Sequence, residues 1–140
     1  MIAALAVAML LPACGKNVKK TEGVSGKVTL DGQPLANCNV FFSPEGQGDQ
    51  AVGRTNEAGE YKAQTMQGAA DAGTTPGTYK VFFSCLEVVT PEVTNDEGET
   101  IKEEVSKEVI PNKYRSAKTT EYTVEVKKGA NVFDFDLTSK

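Results

Sequence analysis

Between Gly26 and Pro44 the chain reads GKVTLDGQPLANCNVFFSP, two strand-like runs on either side of an Asp31-Gly32 pair. Val24, Gly26, Val28 and Leu30 alternate with Ser25, Lys27, Thr29 and Asp31. That is the two-residue period of a strand with one face in a core. Asp-Gly supplies the positive φ of a tight turn. Pro34 lacks an N–H, so the segment just after it is not a central strand, and Leu35 is placed to plug one end of the core. Cys38, Val40 and Phe42 then share one face of the second run. A chain that opens in this way is directed toward sheet.

The rest continues the pattern. Ala51 to Thr55 reads as a short strand, Asn56 to Gly59 as a turn, and Tyr61 and Ala63 point inward from the strand that follows. Gly77 to Cys85, GTYKVFFSC, is the most strand-like stretch, with Tyr79, Val81, Phe83 and Cys85 on one face. Tyr122, Val124 and Val126 form another inward face, and Phe133, Phe135 and Leu137 the last, with Asp134 and Asp136 outward. Gln67 to Pro76, rich in Gly, Ala and Thr, reads as a flexible loop, and Pro111 to Thr120 as a second loop. The expected fold is all-β, a sandwich of seven or eight short antiparallel strands.

Leu86 to Ile110 departs from this rhythm. It holds eight acidic residues and two lysines, a local charge of -6 against -4 for the whole chain, which leaves +2 elsewhere. Asn95 to Gly98 signals a turn, so the segment reads as a hairpin returning through a strand near Val105 to Ile110. Its charge density and few apolar residues predict the most mobile part of the domain.

Upstream, Ile2 to Leu11 is an unbroken apolar run of ten residues. As a helix it would be about 15 Å long, half of a ~30 Å hydrocarbon core, so it has the length of a signal-peptide core and not of a membrane span. Leu11-Pro12-Ala13-Cys14 follows and resembles the bacterial lipobox, in which the cysteine is lipidated and becomes the first mature residue. Residues 1–13 then form a signal peptide, Cys14 carries lipid, the rest of 14–23 is a polar tether, and 24–140 is the domain. The first lysine, Lys16, comes after the cysteine, so the basic start of such a signal is expected upstream of Met1. The alternative is an ordinary secretory signal with Cys14 unmodified.

Composition narrows the chemistry. The net negative charge argues against nucleic acid as a partner. There is no histidine, which removes the commonest general base, the Ser-His-Asp triad and every His-containing zinc site. Cys14, Cys38 and Cys85 have no CxxC spacing. Asn95, Asp96, Glu97 and Glu99 do not match a calcium-loop spacing. Asp134 and Asp136 lie two apart on one strand face, where exposed polar positions are the simpler reading. Neither a metal nor a cofactor is expected.

Taken together, GKVTLDGQPLANCNVFFSP, TNEAGEY and PGTYKVFF resemble carboxypeptidase regulatory-like domains, and IPNKY with TVEVKKGANVFDFDL resembles a set of small bacterial envelope lipoproteins carrying one such domain. The resemblance spans Val24 to Leu137, with Leu86 to Ile110 poorly matched. It implies a transthyretin-like Greek-key sandwich without catalytic activity. In carboxypeptidases it accompanies a zinc catalytic domain, which is not expected here. The transthyretin-like hydrolase of 5-hydroxyisourate relies on histidines, so its activity does not carry over. Neither does the Lys-to-Asn isopeptide bond of related adhesin repeats, since Lys27 has outward parity.

The resemblance also implies that the strand of Cys38 to Phe42 pairs antiparallel with that of Tyr79 to Cys85. Opposed residue numbers then sum to a constant. Setting Cys38 against Cys85 makes it 123, which places Val40 against Phe83, Phe42 against Val81 and, on the outer face, Phe41 against Phe82. On that register Cys38 and Cys85 form a disulfide, and Phe41 and Phe82 form an exposed apolar patch for a partner, or a seat for the acidic segment. The expected function is a non-enzymatic, lipid-anchored module facing the periplasm or cell surface. It would bind or assemble with an envelope protein or glycan and meet the membrane through its N-terminal lipid. The alternative is a carbohydrate- or divalent-cation-binding domain of an exported protein.

Overall fold

Strand pairing begins where the alternation begins. The computed structural model describes residues 21–66 and 73–140. Its strands are β1 (Val24–Leu30), β2 (Gln33–Pro34), β3 (Cys38–Pro44), β4 (Ala51–Arg54), β5 (Glu60–Thr65), β6 (Gly77–Val89), β7 (Glu92–Thr94), β8 (Thr100–Lys102), β9 (Val105–Glu108), β10 (Thr123–Val126), β11 (Asn131–Val132) and β12 (Phe135–Leu137). A single 3-10 turn, Asn112–Tyr114, lies between β9 and β10, and no α-helix occurs among the described residues. The main sheet runs β10-β6-β3-β4-β5-β1-β11, with β2 and β12 also on β1 and β9 on β6, while β7 and β8 pair with each other.

The sheet curls until its ends face one another across a shared core. Phe83 of β6 meets Phe135 of β12 with ring centroids 5.2 Å apart, and Tyr122 meets Phe135 at 5.1 Å. Phe42 reaches Tyr61 at 6.0 Å. The inward residues of β3 and β6 are buried, as are Val24, Val28, Tyr61, Ala63, Val126, Phe135 and Leu137. This all-β, largely antiparallel curled sheet fits a β-sandwich.

Two expectations need correction. Among the described residues there are twelve strands, not seven or eight. The excess comes from short pairings such as β2 and β11, and from the acidic segment, which adds three strands of its own. Nor is the sheet wholly antiparallel, because β11 and β12 both lie parallel to β1, with Val24 opposite Asn131 and Val28 opposite Phe135. Between these two short strands the chain crosses over Gly26. A Cβ there would lie 1.8 Å from the Phe133 carbonyl oxygen, and that oxygen accepts the Tyr61 hydroxyl at 2.7 Å. Glycine is needed because backbone passes directly above it.

The other local signals are seen at the ends of strands. Asp31 and Gly32 have φ of 50° and 82°, as a tight hairpin turn with two left-handed residues requires. Leu35 packs against the core from one end. Pairing reaches back beyond Val24: Glu22 N–H donates to Thr74 C=O at 2.8 Å, and Glu22 C=O accepts the Thr74 N–H at 3.0 Å. So Gly73 and Thr74 are tied into the sheet, whereas the rest of the expected loop, 67–72, lies outside the described residues. Ile110 and Tyr114, in a stretch without periodicity, are also core residues.

Candidate functional site

β3 and β6 carry the residues of interest. Their register is Cys38 to Cys85, Val40 to Phe83, Phe41 to Phe82 and Phe42 to Val81. Cys38 and Cys85 are joined by a disulfide, with Cα atoms 4.1 Å apart. Both cysteines turn their backbone groups away from each other. Cys38 bonds Thr55, and Cys85 accepts the Val109 N–H and donates to a Glu108 carboxylate oxygen. They are therefore a non-hydrogen-bonded pair, the arrangement that brings side chains closest in an antiparallel ladder.

Phe41 and Phe82 stack on the outer face with centroids 5.0 Å apart and planes 14° from parallel. Both are half-buried. Val52 sits opposite Phe41 on the other side and is half-buried too, so the pair is part of a short apolar row across β4, β3 and β6.

The acidic segment forms an arm. β6 continues four residues past Cys85, and β9 returns beside it with Leu86 opposite Glu108 and Val89 opposite Val105. Beyond them β7 and β8 close through a turn in which Asn95 Oδ1 accepts the N–H of Glu97 at 3.0 Å and of Glu99 at 2.8 Å. Asn95 thus shapes the turn. Of seven large apolar side chains that are exposed among the described residues, five lie here: Leu86, Val88, Val93, Ile101 and Val105. The sequence reading found the charge of this segment but not its apolar surface. Its valines and isoleucine promise burial only if something lies against them.

Registers point the N-terminal end of β1 away from the arm. Val24 pairs with Ala63, Thr65 with Ala51, Ala51 with Phe42 and Phe42 with Val81. Val24 is thus level with Phe83, midway along β6, and β1 runs in the same direction as β6, so its N-terminal end points away from the end of β6 that carries the arm. Cys14 lies outside the described residues. No helix among the described residues is long and apolar enough to cross a membrane.

The remaining candidates have structural partners. Asp134 Oδ1 accepts the Lys27 N–H at 2.9 Å and Asp136 Oδ1 the Thr29 hydroxyl at 2.7 Å, so both carboxylates bind the C-terminal segment to β1. No three His, Cys, Asp or Glu side chains among the described residues converge as a metal site. Two open clefts among the described residues are of interest. One, of about 580 Å³, is lined by Lys27, Arg54, Glu60, Lys62 and Asp134 above Tyr61. The other, of about 660 Å³, lies between Leu35 and the base of the arm. Burial raises the Tyr61 hydroxyl well above its ordinary range, with the Asp134 charge acting in the same direction.

No family model matches this chain, and no curated protein matches it. Among solved structures it is similar to a 9R-lipoxygenase from Cyanothece PCC8801, with a TM-score of 0.35 and 11% identity, over 99% of this chain and 18% of that one. The chain thus spans under a fifth of that protein, and a likeness so slight supports no functional conclusion.

Proposed function

We propose that this chain is a non-enzymatic, lipid-anchored module of a bacterial cell envelope, a transthyretin-like Greek-key sandwich of the carboxypeptidase regulatory-like kind. It binds an envelope partner through its acidic arm. The observation that carries this reading is the concentration of exposed apolar side chains on the arm. Large apolar side chains gathered on one exposed element of a small domain mark an interaction surface, and recognition elements commonly project from a rigid scaffold. An anchor at Cys14 would leave the arm at the membrane-distal end, available to partners.

Two measurements test it. Mass spectrometry of the mature N-terminus is expected to find lipid on Cys14, and an unmodified cysteine or a different first residue would sink the anchoring. Capture from native envelopes with the full chain, and with residues 90–104 replaced by a short Gly-Ser turn, tests the arm. Loss of the captured partner with that replacement is expected, and undiminished capture would reject the arm as the recognition element. The polar cleft over Tyr61 favours a second reading, a glycan ligand, and glycan-array binding abolished by Lys62→Ala would support that one instead.

A further inference from the structure

We propose that the open edge of β6 at Leu86–Val89 accepts an added β-strand from a basic, extended polypeptide. The inference rests on the arm being the recognition element, and it specifies the partner class and the binding mode.

The edge follows from hydrogen-bond parity. Val109 N–H donates to Cys85 C=O at 3.0 Å, and the β6–β9 register continues with Glu87 opposite Lys107 and Val89 opposite Val105. Cys85, Glu87 and Val89 therefore direct their backbone groups toward β9. Leu86 and Val88 direct theirs to the other side, as alternation along an antiparallel ladder demands. There β3 would be the neighbour, but β3 begins at Cys38. Asn37 leaves the line with φ of 56° and donates its N–H to Thr55 C=O at 3.1 Å. The β3–β6 register ends with Cys38 opposite Cys85, so among the described residues no strand is paired with β6 on this side beyond that point.

Next to this edge lies the cleft of about 660 Å³, whose walls include Leu30, Leu35, Ala36 and Val109 together with Leu86 and Val88. An unpaired edge beside an apolar recess is the geometry of strand addition: main-chain bonds supply attachment, and alternate side chains enter the recess. Charge selects the occupant. A second copy laid arm against arm would oppose -6 to -6, and like charges across paired strands repel. An anionic membrane surface is repelled as well. A strand with Lys or Arg at every second position and apolar residues between them matches both the carboxylates and the recess. Arg54 borders the recess on the sandwich side, so the basic side chains align along the arm.

The probe is an end-blocked octapeptide of alternating Lys and Val, with the Glu-Val octapeptide as control, titrated into the full chain. Saturable binding of the Lys-Val peptide is expected, weakening several-fold as salt is raised, with the Leu86 and Val88 amides newly protected from hydrogen exchange. Val88→Pro removes a donor that β9 does not use, and is expected to cut affinity tenfold or more without moving the thermal midpoint. Should Val88→Pro disturb folding, Glu87→Gln with Glu103→Gln and Glu104→Gln is expected to weaken binding several-fold in an intact domain. Equal binding of the Glu-Val peptide would overturn the proposal, as would bound peptide that leaves both amides unprotected. Self-association that protects the same amides would overturn it in favour of a second copy. If the arm replacement abolishes envelope capture while the peptide ignores the edge, this inference alone fails. If capture survives the replacement, the functional reading beneath it fails.

Discussion

Thr55 holds Cys38 by both backbone groups: its N–H donates to Cys38 C=O at 2.9 Å, and its Oγ1 accepts the Cys38 N–H at 2.9 Å. The same hydroxyl donates to Leu35 C=O at 2.6 Å, so one buried side chain aligns the start of β3 with the loop that plugs the core. Thr55→Val keeps the shape and leaves two polar groups without a partner. A loss of about 1–3 kcal/mol is expected in urea unfolding. A cost below about 0.5 kcal/mol, the range of an ordinary surface substitution, would show that the hydroxyl is dispensable.

The Cys38–Cys85 bridge spans 47 residues. Replacing both cysteines by alanine is expected to lower stability by about 2–4 kcal/mol, because the unfolded chain regains the freedom the bridge removes. The reduced wild-type chain should unfold at a midpoint close to that of the double variant. Unchanged stability under reductant would contradict the bridge as a structural element.

Phe41 and Phe82 offer a cleaner measure of packing on the outer face. A double-mutant cycle with Phe41→Ala and Phe82→Ala is expected to give a coupling of about 0.5–1.5 kcal/mol, the range for stacked aromatic side chains. Additive single effects would mean that each ring packs on the sheet independently.

Tyr61 sets an alkaline limit. Burial first, and the Asp134 charge second, hold its hydroxyl above the ordinary 10.0. Tyr122 is raised in the same direction, again chiefly by burial. The unfolded chain ionises near pH 10 while the folded chain resists. Stability is therefore complete below that pH and is lost as pH rises further. Tyr61→Phe should cost about 1 kcal/mol at neutral pH through the lost bond to Phe133 C=O and should flatten the alkaline decline. Denaturation midpoints followed from about pH 8 to about pH 11 decide it. A variant that declines as steeply as the wild type would assign the limit to other groups.

How much was legible depends on whether a residue's partner leaves a local trace. Alternation along β3 and β6 is such a trace. With the two cysteines opposed, one register placed Val40, Phe42, Val81 and Phe83 inward and stacked Phe41 on Phe82. The turn chemistry of Asp31-Gly32 and the hairpin signal at Asn95 are equally local. Tyr114 and Ile110 are not, since a lone aromatic in an aperiodic loop looks the same whether it is buried or free. The parallel docking of β12 on β1 left no trace either. It depends on a crossing over Gly26, where a missing side chain reads as ordinary strand alternation until the overlying Phe133 is known. The reach of β6 beyond Cys85 was hidden by charge, because Glu87 falls on the face that Val81, Phe83 and Cys85 bury and so breaks the strand period.

The parallel seat of β12 on β1 has a consequence for the order of events during synthesis. Lys27 and Asp134, which meet there, are 107 residues apart. A polypeptide emerging N-terminus first must carry β1 with one flank bare until almost the whole domain has been made. Phe135, the ring that meets Phe83 and Tyr122, arrives in that final stretch. Local hairpins can form early, but the core cannot close around its central aromatic before then, and such long-range closure is intrinsically slow. For a chain proposed to be exported, this delay is useful: a nascent polypeptide that cannot yet shut remains threadable through a translocation channel.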